Sequence, residues 1–341
     1  MILLSIVIPA YNSQGTIARL LDSIYRSKRT DFSKIEVIVI DDHSRDGTVG
    51  ETALFLEKHK RDHFQFRIIE LHKNAGPAAA RNTGAKYARG KILLFLDADV
   101  ELYPGSLAEV VRNFAEDEDI FALTGVWSKS QRSRNFFPKF KALRDWSYWI
   151  NERDPKNYYY LFSTRVAAIN RDLFLRLGGF DTTYKSALVE DIELTYRIAR
   201  RYAIVFNPKV MVRHEFEDFL PIAKKYFWRS YFWSRIYRNR KKFDPVATTM
   251  KEALTTVSAA AIVFSLILAL ILSALSLPVA LTYVVLAVLC LVFLVHLWGV
   301  RKFLTFARRE EGMVFAVKAF FTGLILYLVI LSGACYSLVK K

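Results

Sequence analysis

Three apolar stretches, at about 253–275, 278–299 and 314–338, restrict this 341-residue chain more than any other feature. At 1.5 Å per residue, each is long enough to cross a hydrocarbon core of ~30 Å. Three such stretches within the last hundred residues read as membrane spans rather than as buried core helices. The short connection Ser276-Leu277-Pro278 makes the first two a helical hairpin. The next connection holds Arg301, Lys302, Arg308 and Arg309, and the flank before the first span holds Arg238, Arg240, Lys241 and Lys242. Excess Lys and Arg marks the cytoplasmic side of a membrane protein. Both flanks are therefore expected in the cytoplasm, and three spans leave the C-terminus outside, against a small opposing signal from Lys340 and Lys341.

Residues 217–243 differ from both their neighbours. Phe219, Ile222, Tyr226, Phe227, Trp233, Ile236 and Tyr237 recur mostly at helical spacing, with Lys224, Lys225, Arg229 and Arg235 between them. Aromatic and basic residues interleaved on a helix suit a membrane interface. The net charge of +16 calls for an anionic partner, and many of its basic residues lie beside the apolar stretches. That favours lipid headgroups and phosphorylated ligands over nucleic acid, for which no zinc spacing, RNA-binding signature or basic recognition helix is present. Cys290 and Cys335, the two cysteines of the chain, both fall inside apolar stretches and read as packing residues; this argues against a disulfide framework, and two cysteines are too few for a soft-metal site. The first residues, Met1 to Pro9, lack a basic leader region and read as a strand, so the N-terminal domain is expected to stay in the cytoplasm.

Up to about residue 215, strand-like and helix-like segments alternate. Strands are expected at Ile2–Pro9, Ile35–Ile40, Phe66–Leu71 and Ile92–Leu96, and helices at Ser13–Tyr25, Thr48–Lys60 and Ala78–Ala88. Repeated βα order implies a mostly parallel sheet with helices on both faces. The strand at 92–96 ends in Asp97-Ala98-Asp99. Strand side chains alternate, so the two carboxylates share one side of the backbone. They stand at the carboxyl end of a parallel strand, where α/β folds bind ligands. As hard oxygen donors they suit Mg²⁺ or Mn²⁺ carrying a diphosphate.

Four more segments carry chemistry-bearing residues. These are Pro9-Ala10-Tyr11-Asn12, Asp41-Asp42-His43-Ser44-Arg45-Asp46-Gly47-Thr48, the run Asn74 to Gly84 containing Arg81, and Gly178-Gly179-Phe180-Asp181 followed by Glu190-Asp191. In a parallel sheet the first two converge with Asp97 and Asp99. Arg81 suits either a phosphate or a strand-end carboxylate. Neither a Walker lysine loop nor GxGxxG occurs, which argues against P-loop and dinucleotide chemistry.

Taken in order, these motifs resemble glycosyltransferase family 2, over about residues 2–216. The resemblance implies a GT-A fold: an α/β, Rossmann-like mixed sheet in a catalytic domain at 1–216. An interfacial helical segment at 217–250 and a transmembrane domain at 251–341 would follow. Pro9, Ala10, Tyr11 and either Asp41 or Asp42 would line the nucleoside pocket. Asp97-Ala98-Asp99 would be the DxD element, Asp97 touching ribose or metal and Asp99 the metal. Arg81 would serve the donor side. Glu190-Asp191 matches the acidic pair whose aspartate is the general base, and His214 a histidine near the diphosphate that is sometimes a metal ligand. The implied enzyme is a membrane-bound inverting hexosyltransferase using a nucleotide-sugar donor and Mg²⁺ or Mn²⁺.

Two departures narrow the acceptor. Dolichol-phosphate-sugar synthases often carry DxDxQ, where this chain has Val100-Glu101, and processive synthases carry QxxRW, which Tyr226-Phe227-Trp228-Arg229 lacks. The acidic pair favours a hydroxyl acceptor, and the missing QxxRW with only three spans favours single addition to a lipid-linked or membrane-embedded acceptor. A polyprenyl-phosphate acceptor is the alternative. A non-catalytic membrane scaffold fits least, since every acidic motif residue is present.

Overall fold

The structure is a computed structural model. It describes residues 1–59, 65–153, 160–184, 188–241, 249–275 and 278–340, apart from the side chains of 239 and 240. Lys60, Lys242, Ser276, Leu277, Lys341 and the Arg240 side chain, used in the reading above, lie outside the described residues. The chain forms two compact units: Met1–Arg134 with Arg153–Phe216, and Asn135–Glu152 with Glu217–Lys341.

The first unit is built on one sheet of eight strands: β1 (Leu4–Ala10), β2 (Ile35–Asp41), β3 (Gln65–Glu70), β4 (Ile92–Leu96), β5 (Val100–Leu102), β6 (Ala122–Trp127), β7 (Val166–Asn170) and β8 (Ile204–His214). Their order across the sheet is β3-β2-β1-β4-β7-β6-β8-β5. The β3-β2-β1-β4 half is parallel, as βα alternation predicts. From β7 onward the sheet is mixed: β7 runs antiparallel to β4 and β6, and β5 antiparallel to β8. This is the Rossmann-like mixed sheet implied by the family resemblance. β1, β2 and β4 are almost wholly buried, which explains their continuous Val, Ile and Leu runs.

Among the described residues, six α-helices and a 3-10 turn (Phe32–Lys34) accompany the sheet in this unit: α1 (Ile17–Tyr25), α2 (Thr48–Lys58), α3 (Pro77–Tyr87), α4 (Ser106–Glu116), α6 (Arg171–Arg176) and α7 (Glu190–Ile198). Small residues in α3 have a packing cause. A Cβ on Gly84 would lie 2.4 Å from Cγ1 of Val7, so α3 rests directly on β1. Pro77 opens α3 at the position where its missing N–H costs nothing.

The second unit is helical. It contains α5 (Phe136–Trp146) running into a π-helical turn (Ser147–Glu152), then α8 (Phe219–Arg240), α9 (Met250–Ala274), α10 (Val279–Glu311) and α11 (Met313–Val339). α9, α10 and α11 have 25, 33 and 27 residues and are long and apolar enough to cross a membrane. The basic residues Arg301, Lys302, Arg308 and Arg309, expected in a connection, instead lie in the last turns of α10. The break falls at Gly312, whose φ of 89° is open to glycine and strained for other residues. Helix contacts in this unit are close where side chains are small. A Cβ on Gly299 would lie 2.5 Å from Thr255 Oγ1, and one on Gly333 would lie 2.2 Å from the Phe227 carbonyl oxygen. His296 is buried with Nδ1 3.1 Å from both Ser258 Oγ and the Thr255 carbonyl oxygen.

Candidate active site

Register brings the motif residues to one edge of the sheet. Ala10 is paired with Asp41, and Val7 with Phe95, so Pro9–Tyr11, Asp41–Asp42 and Asp97–Asp99 all follow the carboxyl ends of adjacent strands. The loops after β1 and β2 are stitched together. Asn12 N–H donates to Ser44 Oγ at 2.9 Å, and Asn12 Oδ1 accepts from the Arg45 amide at 2.9 Å. Gln14 and Asp46 cross in the same way: the Gln14 amide donates to Asp46 Oδ2 at 3.1 Å, and Gln14 Oε1 accepts from the Gly47 amide at 2.9 Å. Asn12 and His43 adopt positive φ of 49° and 65° to make this turn.

Asp41 and Asp42 are both buried, but their oxygens differ. Asp42 accepts from the amides of Ala75 and Gly76, both at 2.8 Å, and so holds the entrance to α3. Asp41 accepts from the Ser44 amide through Oδ2 at 2.9 Å, while its buried Oδ1 has no partner. An orphaned buried carboxylate oxygen is costly, and it is an acceptor ready for a ligand N–H. Tyr11 is 46% exposed beside this loop pair.

Arg81 is 2% exposed and pairs with two carboxylates rather than standing free. Its Nη1 donates to Glu190 Oε1 at 3.0 Å and its Nη2 to Asp97 Oδ1 at 2.6 Å. Burial alone would discourage its charge; the two carboxylates reverse that and hold its pKa above the ordinary value. One guanidinium thus ties α3, the end of β4 and the start of α7 into a single constellation. Asn82, next to it, is a second tie. Its amide exchanges two hydrogen bonds of 2.8 Å with the Phe180 backbone, and Arg197 Nη2 donates to the Gly179 carbonyl at 2.6 Å.

Glu190 is buried and Asp191 half-buried at the N-terminus of α7, where Asp191 Oδ1 accepts from the Ile192 amide at 2.8 Å. A helix N-terminus favours carboxylates in its first turn.

Asp99 meets His214 because of strand register. Val100 is paired with His214 in the β5–β8 ladder, and Asp99 Oδ2 lies 3.3 Å from His214 Nε2. Burial pushes the Asp99 carboxyl up, but the charge and hydrogen bond of His214, with Arg165 adding to them, bring it down to about 2. Gln131 clamps the His214 backbone, donating to its carbonyl and accepting from the Phe216 amide, both at 2.8 Å.

A carboxylate oxygen and an imidazole nitrogen facing each other form a donor pair for a divalent cation. His214 Nδ1 is buried without a partner. Among the described residues no group of three His, Cys, Asp or Glu side chains gathers around a metal position. Asp97, expected as a further ligand, is turned to Arg81. Asp99 and His214 are the two facing donors here whose chemistry fits a divalent cation.

Asn12 and Asn82 lie in the motif segments without a role assigned to them, and Gln14 and Gln131 lie outside those segments. Each is an amide that clamps backbone, and an isolated amide in a loop carries no chemical signature. The positive-φ turn at Asn12 was the one signal available, since asparagine tolerates that region better than most residues.

A mixed sheet with interlocked loops after β1 and β2 and an acidic element after β4 fits a class: Rossmann-like transferases of the GT-A type. The model of the family described as "Glycosyl transferase family 2" matches residues 5–178, just over half of the chain. The protein belongs to that family. It is similar to the dolichyl-phosphate beta-glucosyltransferase of Saccharomyces cerevisiae, 40% identical over 100 residues, covering 29% of this chain and 30% of that protein. The dodecaprenyl-phosphate galacturonate synthase of Rhizobium johnstonii is 27% identical over 139 residues, covering 41% and 40%. The chain thus spans less than half the length of these two relatives. Among solved structures, the mannosyltransferase PcManGT of Pyrobaculum calidifontis, in complex with GDP-Man and Mn²⁺, superposes with a TM-score of 0.59 at 20% identity. That match covers 99% of this chain and 88% of the other and establishes a shared fold.

Proposed function

We propose that this protein is a membrane-bound, inverting hexosyltransferase that moves a sugar from a nucleoside-diphosphate donor to a hydroxyl of a lipid-linked acceptor, one sugar at a time. The observation that carries this reading is the Arg81 bridge from Asp97 to Glu190. It gathers the strand-end acids and the α7 acids at one edge and leaves Asp99 facing His214.

In this reading Asp41 Oδ1 accepts an N–H of the base, and the Pro9–Tyr11 backbone lines the nucleoside pocket. Asp42 and Arg81 act by positioning. Asp97, fixed by Arg81, keeps one oxygen for ribose. Asp99 and His214 would hold Mg²⁺ or Mn²⁺, which when bound supplies charge neutralisation for the departing diphosphate. The acceptor hydroxyl oxygen forms the new bond to C1 while the bond from C1 to the diphosphate oxygen breaks, its electron pair leaving with the nucleoside diphosphate. The hydroxyl proton passes to Asp191. Attack from the face opposite the leaving group inverts C1.

A second reading, transfer to a bare polyprenyl phosphate, draws support from the activities for which the yeast and Rhizobium relatives are named. That acceptor is already anionic and needs no base. Membrane residence is supported by three helices of spanning length, and the basic end of α10 supports a cytoplasmic catalytic unit.

The test is a donor screen with the full chain in detergent and Mn²⁺, with polyprenyl phosphate and polyprenyl-diphosphate-linked sugars offered as acceptors. Transfer should be abolished by Asp99→Ala. Loss of transfer in Asp191→Asn supports the hydroxyl acceptor. Transfer to bare polyprenyl phosphate that ignores Asp191→Asn establishes the second reading. No donor turnover with any acceptor sinks both.

A further inference from the structure

Arg165 stands at the same edge as the acidic element. β7 begins at Val166, which pairs antiparallel with Leu96 at the end of β4, so Arg165 lies beside the start of Asp97–Asp99. It is half-buried, with its guanidinium carbon 4.7 Å from the Trp127 ring centroid and 5.7 Å from that of Phe216. Trp127 closes β6 and Phe216 follows β8; these strands are neighbours, so the sheet itself fixes both rings. The guanidinium is near enough to Asp99 to help hold that carboxyl ionised.

What distinguishes Arg165 is its lack of partners. Among the described residues it makes no hydrogen bond and no ion pair. Arg81, at the same edge, is committed to Glu190 and Asp97. A guanidinium held against aromatic rings keeps a planar fork of donors in a fixed orientation. Such a fork matches the paired oxygens of a phosphate group.

We propose that Arg165 is a phosphate-binding residue that receives either the diphosphate of the nucleotide donor or the phosphate of a phosphorylated lipid acceptor beside Asp99. The proposal rests on the reading above that this edge handles a nucleoside diphosphate. The competing role is charge balance, with Arg165 present only to offset Asp97 and Asp99.

The experiment is calorimetric titration of the full chain in detergent, as wild type, Arg165→Ala and Arg165→Lys. The probes are Mn²⁺ alone, Mn²⁺ with pyrophosphate, Mn²⁺ with UDP or GDP, the nucleosides uridine and guanosine, and polyprenyl phosphate against polyprenol. Loss of a charge-assisted contact should weaken a phosphate probe by about 10- to 100-fold in Arg165→Ala. Arg165→Lys should recover part of that, and nucleoside and polyprenol binding should not change. A loss confined to pyrophosphate and nucleotides assigns Arg165 to the donor; one confined to polyprenyl phosphate assigns it to the acceptor. Wild-type affinity for every phosphate probe in Arg165→Ala overturns the proposal. So does tighter Mn²⁺ binding with unchanged phosphate binding, the signature of charge balance, and so does equal loss of phosphate and nucleoside probes. If the wild type binds neither UDP nor GDP but binds pyrophosphate through Arg165, the proposed donor class fails while the phosphate site stands.

Discussion

At the scale of the residue, neighbours with the same charge do different work. Asp41 and Asp42 are indistinguishable in sequence, yet one has an orphaned buried oxygen and the other accepts two backbone amides. Asp41→Asn should weaken binding of the cognate nucleoside diphosphate by about tenfold, the value of one hydrogen bond to a charged acceptor, with little change in melting temperature. Asp42→Asn should do the reverse. An amide offers one acceptor oxygen to two amides, which costs about 1–3 kcal/mol for the donor left unpaired. Titration calorimetry and thermal unfolding of both variants separate the two roles; equal effects on both measurements would contradict it. Arg81 provides a second case. Removing a buried cation leaves Asp97 and Glu190 uncompensated, so Arg81→Met should destabilise the protein by about 3–5 kcal/mol. Adding Glu190→Gln should recover part of that loss, because the two residues share one network. Unfolding of the single and double variants measures the coupling, and strict additivity would show that the bridge is not a unit. The sequence supplied the types here but not the assignments. Arg81 was legible as a partner for phosphate or carboxylate, and only the folded placement of its guanidinium between Asp97 and Glu190 decides between them.

At the scale of the element, period and punctuation made the first half of the sheet readable. β1, β2 and β4 are short buried runs ending in polar motifs, and they lie within two residues of where the apolar pattern puts them. β7 was not readable as antiparallel, because strand direction leaves no mark in a five-residue run of which four residues are buried. α10 was misjudged for a different reason. Charges at 301–309 suggested a connection, but Arg and Lys are good helix formers, and only Gly312 interrupts the backbone. One edge of the sheet is fixed by a charge cluster with a testable pH dependence. Glu36 on β2 is 1% exposed and accepts from Ser5 Oγ at 2.7 Å, the Arg89 amide at 2.6 Å and Arg67 Nη2 at 2.7 Å. Burial pushes its carboxyl up, but the Ser5 hydroxyl, the Arg89 amide and the two guanidinium groups together hold it below its ordinary value of 4.5. A depressed folded-state pKa stabilises above the unfolded value and is lost as pH falls through the folded one. Glu36→Gln should therefore lower the melting temperature at pH 7, by an amount equivalent to about 1–3 kcal/mol. The gap from wild type should shrink as pH drops below 4.5. A gap that stays constant to pH 3 would show that the ionised form contributes nothing.

At the scale of the whole molecule, three helices are long and apolar enough to cross a membrane, and in the proposed membrane-bound enzyme their number has a consequence of its own. An odd number of crossings puts the two ends of the chain on opposite sides. α10, with 33 residues, is about 50 Å long at 1.5 Å per residue, some 20 Å more than a ~30 Å core requires. The surplus is its basic end, Arg301, Lys302, Arg308 and Arg309, which the positive-inside rule assigns to the cytoplasm. The rule therefore predicts the junction of α9 and α10 outside, the junction of α10 and α11 inside, and the end of α11 outside. The test uses single cysteines in a chain whose native Cys290 and Cys335 are changed to alanine, labelled in intact cells with a membrane-impermeant maleimide. Leu275→Cys and Lys340→Cys, at the outer ends of α9 and α11, should label. Glu118→Cys in the catalytic unit and Met313→Cys at the start of α11 should label only after the membrane is opened. Labelling of Lys340→Cys and protection of Leu275→Cys together would mean that α9 and α10 do not form a crossing hairpin. Protection of Lys340→Cys with labelling of Leu275→Cys would remove α11 as a span. The positions at Glu118 and Met313 test the charge argument separately. Both are tied to the basic side of the chain, so labelling of either in intact cells would reverse the orientation that the arginines and lysines of α10 impose.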